Sequence, residues 1–108
     1  MLHGFTVGSS RLTYGPSFGP LAERFDVIAP DLPGYGFSAA PEAFYTTAGY
    51  ADFVVRFLDA LGLTKVNLVG FSKGGAIALG VALDHPERVR KLALVSAYAL
   101  NHWVTLPF

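Results

Sequence analysis

Five consecutive residues carry the chain's clearest chemistry. Gly70-Phe71-Ser72-Lys73-Gly74 fits the pattern Gly-x-Ser-x-Gly. Such a serine sits at the apex of a sharp strand-to-helix turn, with its hydroxyl exposed for attack on a carbonyl carbon. Side chains two residues to either side would collide, so the turn needs glycine at 70 and 74. The hydroxyl then stands at a helix N-terminus, where the dipole and free N–H groups favour an oxyanion. A glycine-rich chain can produce the pattern by chance; its place between a strand and a helix gives it weight.

A serine nucleophile needs a base, and the base needs an orienting acid. The histidines are His3, His85 and His102. His85 follows the helix that starts at Ser72, so it belongs at the opposite end of the sheet. His102 lies just past the carboxyl end of the last predicted strand, the edge where α/β sites form. It is the best base within the chain; otherwise it is a surface or interface residue beside Trp103. Asp31 also follows the carboxyl end of a predicted strand and could orient a histidine. No metal or cofactor is called for. The histidines lack metal-ligand spacing, and no Gly-Lys-Ser/Thr phosphate loop exists. Gly34-x-Gly36-x-x-Ala39 is followed by Pro41 and no helix, unlike a dinucleotide site.

The elements that must position these groups follow from pattern. Residues 4–20 are rich in Gly, Ser and Pro and read as loop, with a short helix following. Arg24–Pro30 is a short apolar run closed by proline, which predicts a strand, and 31–41 is loop. Tyr50, Phe53, Val54, Phe57, Leu58 and Leu61 form an apolar stripe of helical period. Thr46 or Thr47 can cap that helix and Gly62 can end it. Lys65–Gly70 is a strand, Lys73–Asp84 a helix buried on most sides, and Val89–Ser96 a buried parallel strand. Alternating strands and helices predict an α/β fold with a mostly parallel sheet.

The 108 residues argue for a single domain, 1–108. They are 52% hydrophobic and 15% charged, against about 25% charged in an average domain. Disorder is excluded. So little polar surface predicts that some apolar surface meets another chain or a missing part. Eight basic residues balance eight acidic ones, leaving no basic field for nucleic acid. With no cysteine, disulfides, zinc–thiolate sites and thiol nucleophiles are out. No signal peptide is visible, and the longest apolar stretch, 74–83, is too short to span a bilayer. The default expectation is a cytoplasmic protein.

Together these residues resemble the α/β-hydrolase superfamily, on its serine esterase and lipase-like side. His3-Gly4-Phe5 looks like the oxyanion loop after that family's third strand. Asp31-Leu-Pro-Gly34-Tyr-Gly36-Phe-Ser38 looks like the loop after its fourth strand. Asp84-His-Pro-Glu-Arg-Val89 resembles the turn before its sixth strand. The motifs run in family order over residues 3 to about 97. The resemblance implies Ser72 as nucleophile on a small ester, with an oxyanion hole from the backbone N–H groups of Phe5 and Lys73. It implies structural roles for His3 and for Asp31, which holds its own loop. Serine in place of aspartate argues against haloalkane dehalogenases and epoxide hydrolases.

The resemblance also implies a truncated, about half-size hydrolase core. The family's acid and histidine follow the nucleophile, yet no acidic residue follows Glu87. Its third strand lies between the fourth and fifth, and here the oxyanion motif begins at residue 3. The tail His102–Phe108, from the same or a second copy, is a candidate to fill that slot. These gaps predict a homo-oligomer, dimer or larger. They leave open whether the chain is an esterase or an incomplete unit for folding or oligomerisation.

Overall fold

The computed structural model describes residues 1–6, 8–42 and 46–98. The described residues form an α/β arrangement with parallel strands and flanking helices. A 3-10 turn, Arg11–Tyr14, leads into helix α1, Gly15–Ala22. Helix α2 is Thr47–Ala60, strand β1 Val66–Phe71, helix α3 Lys73–Asp84 and strand β2 Val89–Val95. His102, Trp103 and the tail they belong to lie outside the described residues.

Helix α2 starts and stops where its sequence signals stand. Thr46 Oγ1 accepts the Gly49 N–H at 2.9 Å. At the other end Gly62 takes φ +69°. The Leu63 N–H reaches the Leu58 carbonyl (2.9 Å) and the Gly62 N–H the Asp59 carbonyl (3.0 Å), the paired bonds of a Schellman motif. The buried face is Tyr50, Ala51, Val54 and Leu58. Phe53 and Phe57 flank it and stack on each other at 6.0 Å. Leu61 of the predicted stripe is 47% exposed, because it caps the helix and turns away.

Helix α3 spans the predicted residues and packs on α2 and on both strands. Gly74 through Ala78 and Val81 are buried, and Ile77, Ala78 and Val81 are fully so. They join Leu2, Leu32, Leu58 and Leu68 in one apolar core. Burying a Leu- or Ile-sized side chain contributes about 1.5–3 kcal/mol, so this seam fixes α3 against the sheet.

Strands β1 and β2 pair in parallel, with Leu68 opposite Leu92 and Gly70 opposite Leu94. Leu2 adds an isolated parallel bridge to Gly70 on the other edge of β1. Its N–H bonds the Val69 carbonyl at 2.7 Å and its carbonyl accepts the Phe71 N–H at 3.0 Å. Leu2 thus covers part of the edge of β1 opposite β2.

Three expectations are corrected. Arg24–Pro30 is no strand. One backbone bond, from the Met1 nitrogen to the Ile28 carbonyl at 2.7 Å, joins it to the Leu2 segment, and a ladder needs a repeated set. Helix α1 begins inside the predicted loop of 4–20, because Pro16 falls in its first turn, where no N–H is required. Strand β2 is not buried on both faces. Arg90, Lys91, Ala93 and Val95 are exposed, since among the described residues no strand pairs its outer edge.

Candidate active site

Ser72 links the carboxyl end of β1 to the start of α3, at φ 52° and ψ −119°. A non-glycine residue there carries backbone strain of about 1–3 kcal/mol, so its surroundings must hold it. The Ser72 N–H donates to the Val95 carbonyl at 3.0 Å. Its carbonyl accepts from Gly75 (3.0 Å), Ala76 (3.3 Å) and Tyr98 (3.0 Å). The backbone is thus tied to both β2 and α3. Its side chain makes no capping bond to α3.

The glycines are required by contact. A Cβ on Gly70 would lie 2.3 Å from the Gly74 carbonyl oxygen, and one on Gly74 2.3 Å from the Leu2 carbonyl oxygen. Gly75 escaped the sequence reading, and so did the contact that requires Gly4. A Cβ on Gly75 would lie 2.5 Å from Ala97 Cβ, and one on Gly4 3.1 Å from Ser72 Cβ. The doubled glycine at 74–75 was the available signal for the first. Gly4 brings the His3-Gly4-Phe5 segment against the serine, so the peptide leading to Phe5 starts beside Ser72 and the Phe71 ring. Among the described residues neither the Phe5 nor the Lys73 backbone N–H has an acceptor.

That segment is held from beneath. The Leu2 carbonyl accepts the Tyr14 hydroxyl at 2.7 Å, and burial pushes the Tyr14 pKa up to about 12. The Phe5 ring packs on Tyr35 (4.6 Å) and edge-on to Tyr50 (4.9 Å). His3 is fully buried. Its Nδ1 donates to the Gly4 carbonyl at 2.8 Å and its Nε2 accepts the Leu32 N–H at 3.0 Å. With both nitrogens engaged it joins the Gly4 turn to the 31–38 loop.

Asp31 is 6% exposed. One oxygen accepts the Arg11 N–H at 2.7 Å; the other takes the Arg11 guanidinium and the Phe37 N–H at 3.0 Å. Burial raises its pKa, but those N–H groups and Arg11 outweigh it and hold the carboxyl below its ordinary value. Its backbone carbonyl accepts the Ser38 hydroxyl. Gly36, at φ +53°, leaves room for the carboxylate. Arg11 gave no signal in the sequence, because the pair spans 20 residues and a loop.

His85 lies at the far end of α3, with Nδ1 3.7 Å from Glu87. Twelve residues of helix put it about 18 Å from the elbow. The site therefore brings together Ser72, Lys73, Gly70, Gly74 and Phe5. It holds Asp31 in a separate cluster, and the candidate base His102 lies outside the described residues. Among the described residues no group of three His, Asp or Glu side chains could hold a metal ion.

This strand–turn–helix elbow with its adjoining His-Gly loop defines a class. A family model described as the alpha/beta hydrolase fold matches residues 1–107, and the chain belongs to that family. It is 39% identical over its whole length to an uncharacterized protein of Mycobacterium tuberculosis, of which it covers 31%. It is 44% identical over 86 residues, 79% of the chain, to a 2-hydroxymuconate semialdehyde hydrolase of a Pseudomonas species, covering 30% of that protein. Among solved structures it is similar to a membrane phospholipase A, with a TM-score of 0.84 and 40% identity over 89% of the chain and 31% of that structure. The chain spans about a third of the length of the curated relatives it matches. No helix among the described residues is long and apolar enough to cross a membrane.

Proposed function

We propose that the chain carries the nucleophile and oxyanion hole of a serine hydrolase acting on small carboxylic esters. Ser72 Oγ attacks the acyl carbon, and a histidine takes its proton. The backbone N–H groups of Phe5 and Lys73 hold the oxygen as it becomes negative. The alkoxide leaves with that proton, and water then cleaves the acyl-serine by the same route. The histidine is His102 or one from a partner chain, and the working form is a homo-oligomer.

The observation that most supports this reading is the strained backbone of Ser72, with the N–H groups of Phe5 and Lys73 lacking acceptors among the described residues. Strain persists where surrounding structure over-determines it, and such sites cluster at functional positions. A second reading is an incomplete hydrolase unit serving folding or oligomerisation, which keeps the elbow because the fold needs it: the Ser72 backbone ties β2 to α3.

A p-nitrophenyl acetate and butyrate series separates them, run on the parent, Ser72→Ala and His102→Ala. The ester reading expects turnover that Ser72→Ala abolishes. Equal rates for parent and Ser72→Ala would end it. A burst without turnover would mean acylation with no base for deacylation. Size-exclusion chromatography at micromolar concentration should show a dimer or larger, and a clean monomer would contradict the oligomer.

A further inference from the structure

Lys73 directly follows the nucleophile, and the oxyanion hole uses only its backbone. Its ammonium Nζ donates to Thr47 Oγ1 at 2.7 Å and lies 5.6 Å from the centroid of the Tyr98 ring. Thr47 is the first residue of α2. The Tyr98 N–H bonds the Ser72 carbonyl. The cation is therefore held between two elements that meet at the elbow. An ammonium has three N–H donors. Thr47 takes one and the Tyr98 ring attracts the charge. No carboxylate among the described residues lies within ion-pair distance of it. The helix itself gains nothing from a cation here, because Lys73 opens α3 and the helix dipole disfavours positive charge at that end.

We propose that Lys73 is the specificity-determining residue of the Ser72 site, recognising a carboxylate carried by the substrate. This rests on Ser72 being the acyl nucleophile. The substrate class becomes anionic esters, such as half-esters of short dicarboxylic acids, in preference to neutral ones. A carboxylate suits a point charge with few free donors; a phosphate would leave most of its oxygens unmet.

Binding tests this without turnover. In the Ser72→Ala chain, calorimetry compares monomethyl succinate with methyl levulinate, a neutral ester of the same size. One charge-assisted hydrogen bond predicts about tenfold tighter binding of the acid or more. Lys73→Met should remove that preference and Lys73→Arg restore part of it. Lys91→Met, on the exposed sheet face, should leave it intact. Thermal melts confirm that each variant folds. Equal binding of the two esters overturns the proposal, as does no measurable binding of either, or a preference that survives Lys73→Met. If p-nitrophenyl acetate turnover needs Ser72 while no carboxylate preference appears, this inference alone fails. If turnover is independent of Ser72, the nucleophile reading fails, and a Lys73-dependent preference would remain as a binding site only.

Discussion

The elbow and the 31–38 loop solve opposite problems with an oxygen-bearing side chain. At Ser72 the backbone is fully bonded, in a strained conformation, and the hydroxyl caps nothing. At Asp31 the side chain is fully bonded: two backbone N–H groups and a guanidinium converge on its oxygens. Both residues stand at tight, glycine-dependent turns. The difference teaches which of them is available. A carboxylate saturated by its own loop holds structure. The Ser72 hydroxyl has no such set of partners among the described residues, which is what the proposed nucleophile requires.

The largest effect should come from breaking the elbow itself. Gly74→Ala drives a Cβ into the Leu2 and His3 carbonyl oxygens, at 2.3 and 2.5 Å. Backbone atoms cannot swing aside as a side-chain end can. A loss of about 3 kcal/mol or more is expected, seen as a collapsed urea midpoint or failure to fold. A variant as stable as the parent would mean that the Leu2 segment does not sit against α3.

Next comes the Asp31 loop. Asp31→Ala leaves the N–H groups of Arg11 and Phe37 without their acceptor, a cost of about 3 kcal/mol. The folded carboxyl has a pKa below the ordinary 3.8. Its contribution is therefore present above the unfolded value and is lost as pH falls through the folded one. Urea midpoints should drop below pH 4 in the parent and drop less steeply in Asp31→Asn. An unchanged acid limb would show that the pair adds nothing, and the contrast with Ser72 would lose its second half.

Smaller, and aimed at the strain, is Ser72→Gly against Ser72→Ala. Glycine adopts φ 52° freely, whereas alanine keeps the strain. Relief of about 1–3 kcal/mol is offset by about 0.4–1 kcal/mol of extra unfolded-state entropy. The glycine variant should be the more stable by about 1 kcal/mol. If alanine is the more stable, the elbow is not strained.

Much of this was legible in the residues, for identifiable reasons. Lys73–Asp84 and, one residue early, the strand Lys65–Gly70 (observed as Val66–Phe71) follow from local pattern, because the core they enter comes mainly from their own side chains and α2. Gly70 and Gly74 follow from the geometry of one turn. Arg24–Pro30 misled because an apolar run bounded by proline describes a strand's composition but not its partner. Arg11, the approach of Gly4 to Ser72 and the Lys73–Thr47 bond were invisible, since each depends on a contact between segments far apart in sequence. The sheet's exposed outer face was equally hidden: periodicity marks an apolar strand without saying what covers it.

The smallest effect turns on a glycine in the same helix. Gly80 lies in the interior of α3, and a Cβ there would meet Ala51 Cβ at 3.7 Å, an ordinary contact. It has no positive φ. Glycine in a helix interior costs about 0.5–1 kcal/mol relative to alanine. Gly80→Ala should therefore raise stability by about that amount, read as a higher urea midpoint with unchanged slope. One residue type, at two places in one helix, then gives opposite signs. At Gly74 backbone oxygens occupy the space a methyl would need; at Gly80 the space is open and only entropy is at stake. A destabilised Gly80→Ala would mean that α2 and α3 pack more closely than these contacts allow, and would remove this contrast between the elbow's glycines and the rest.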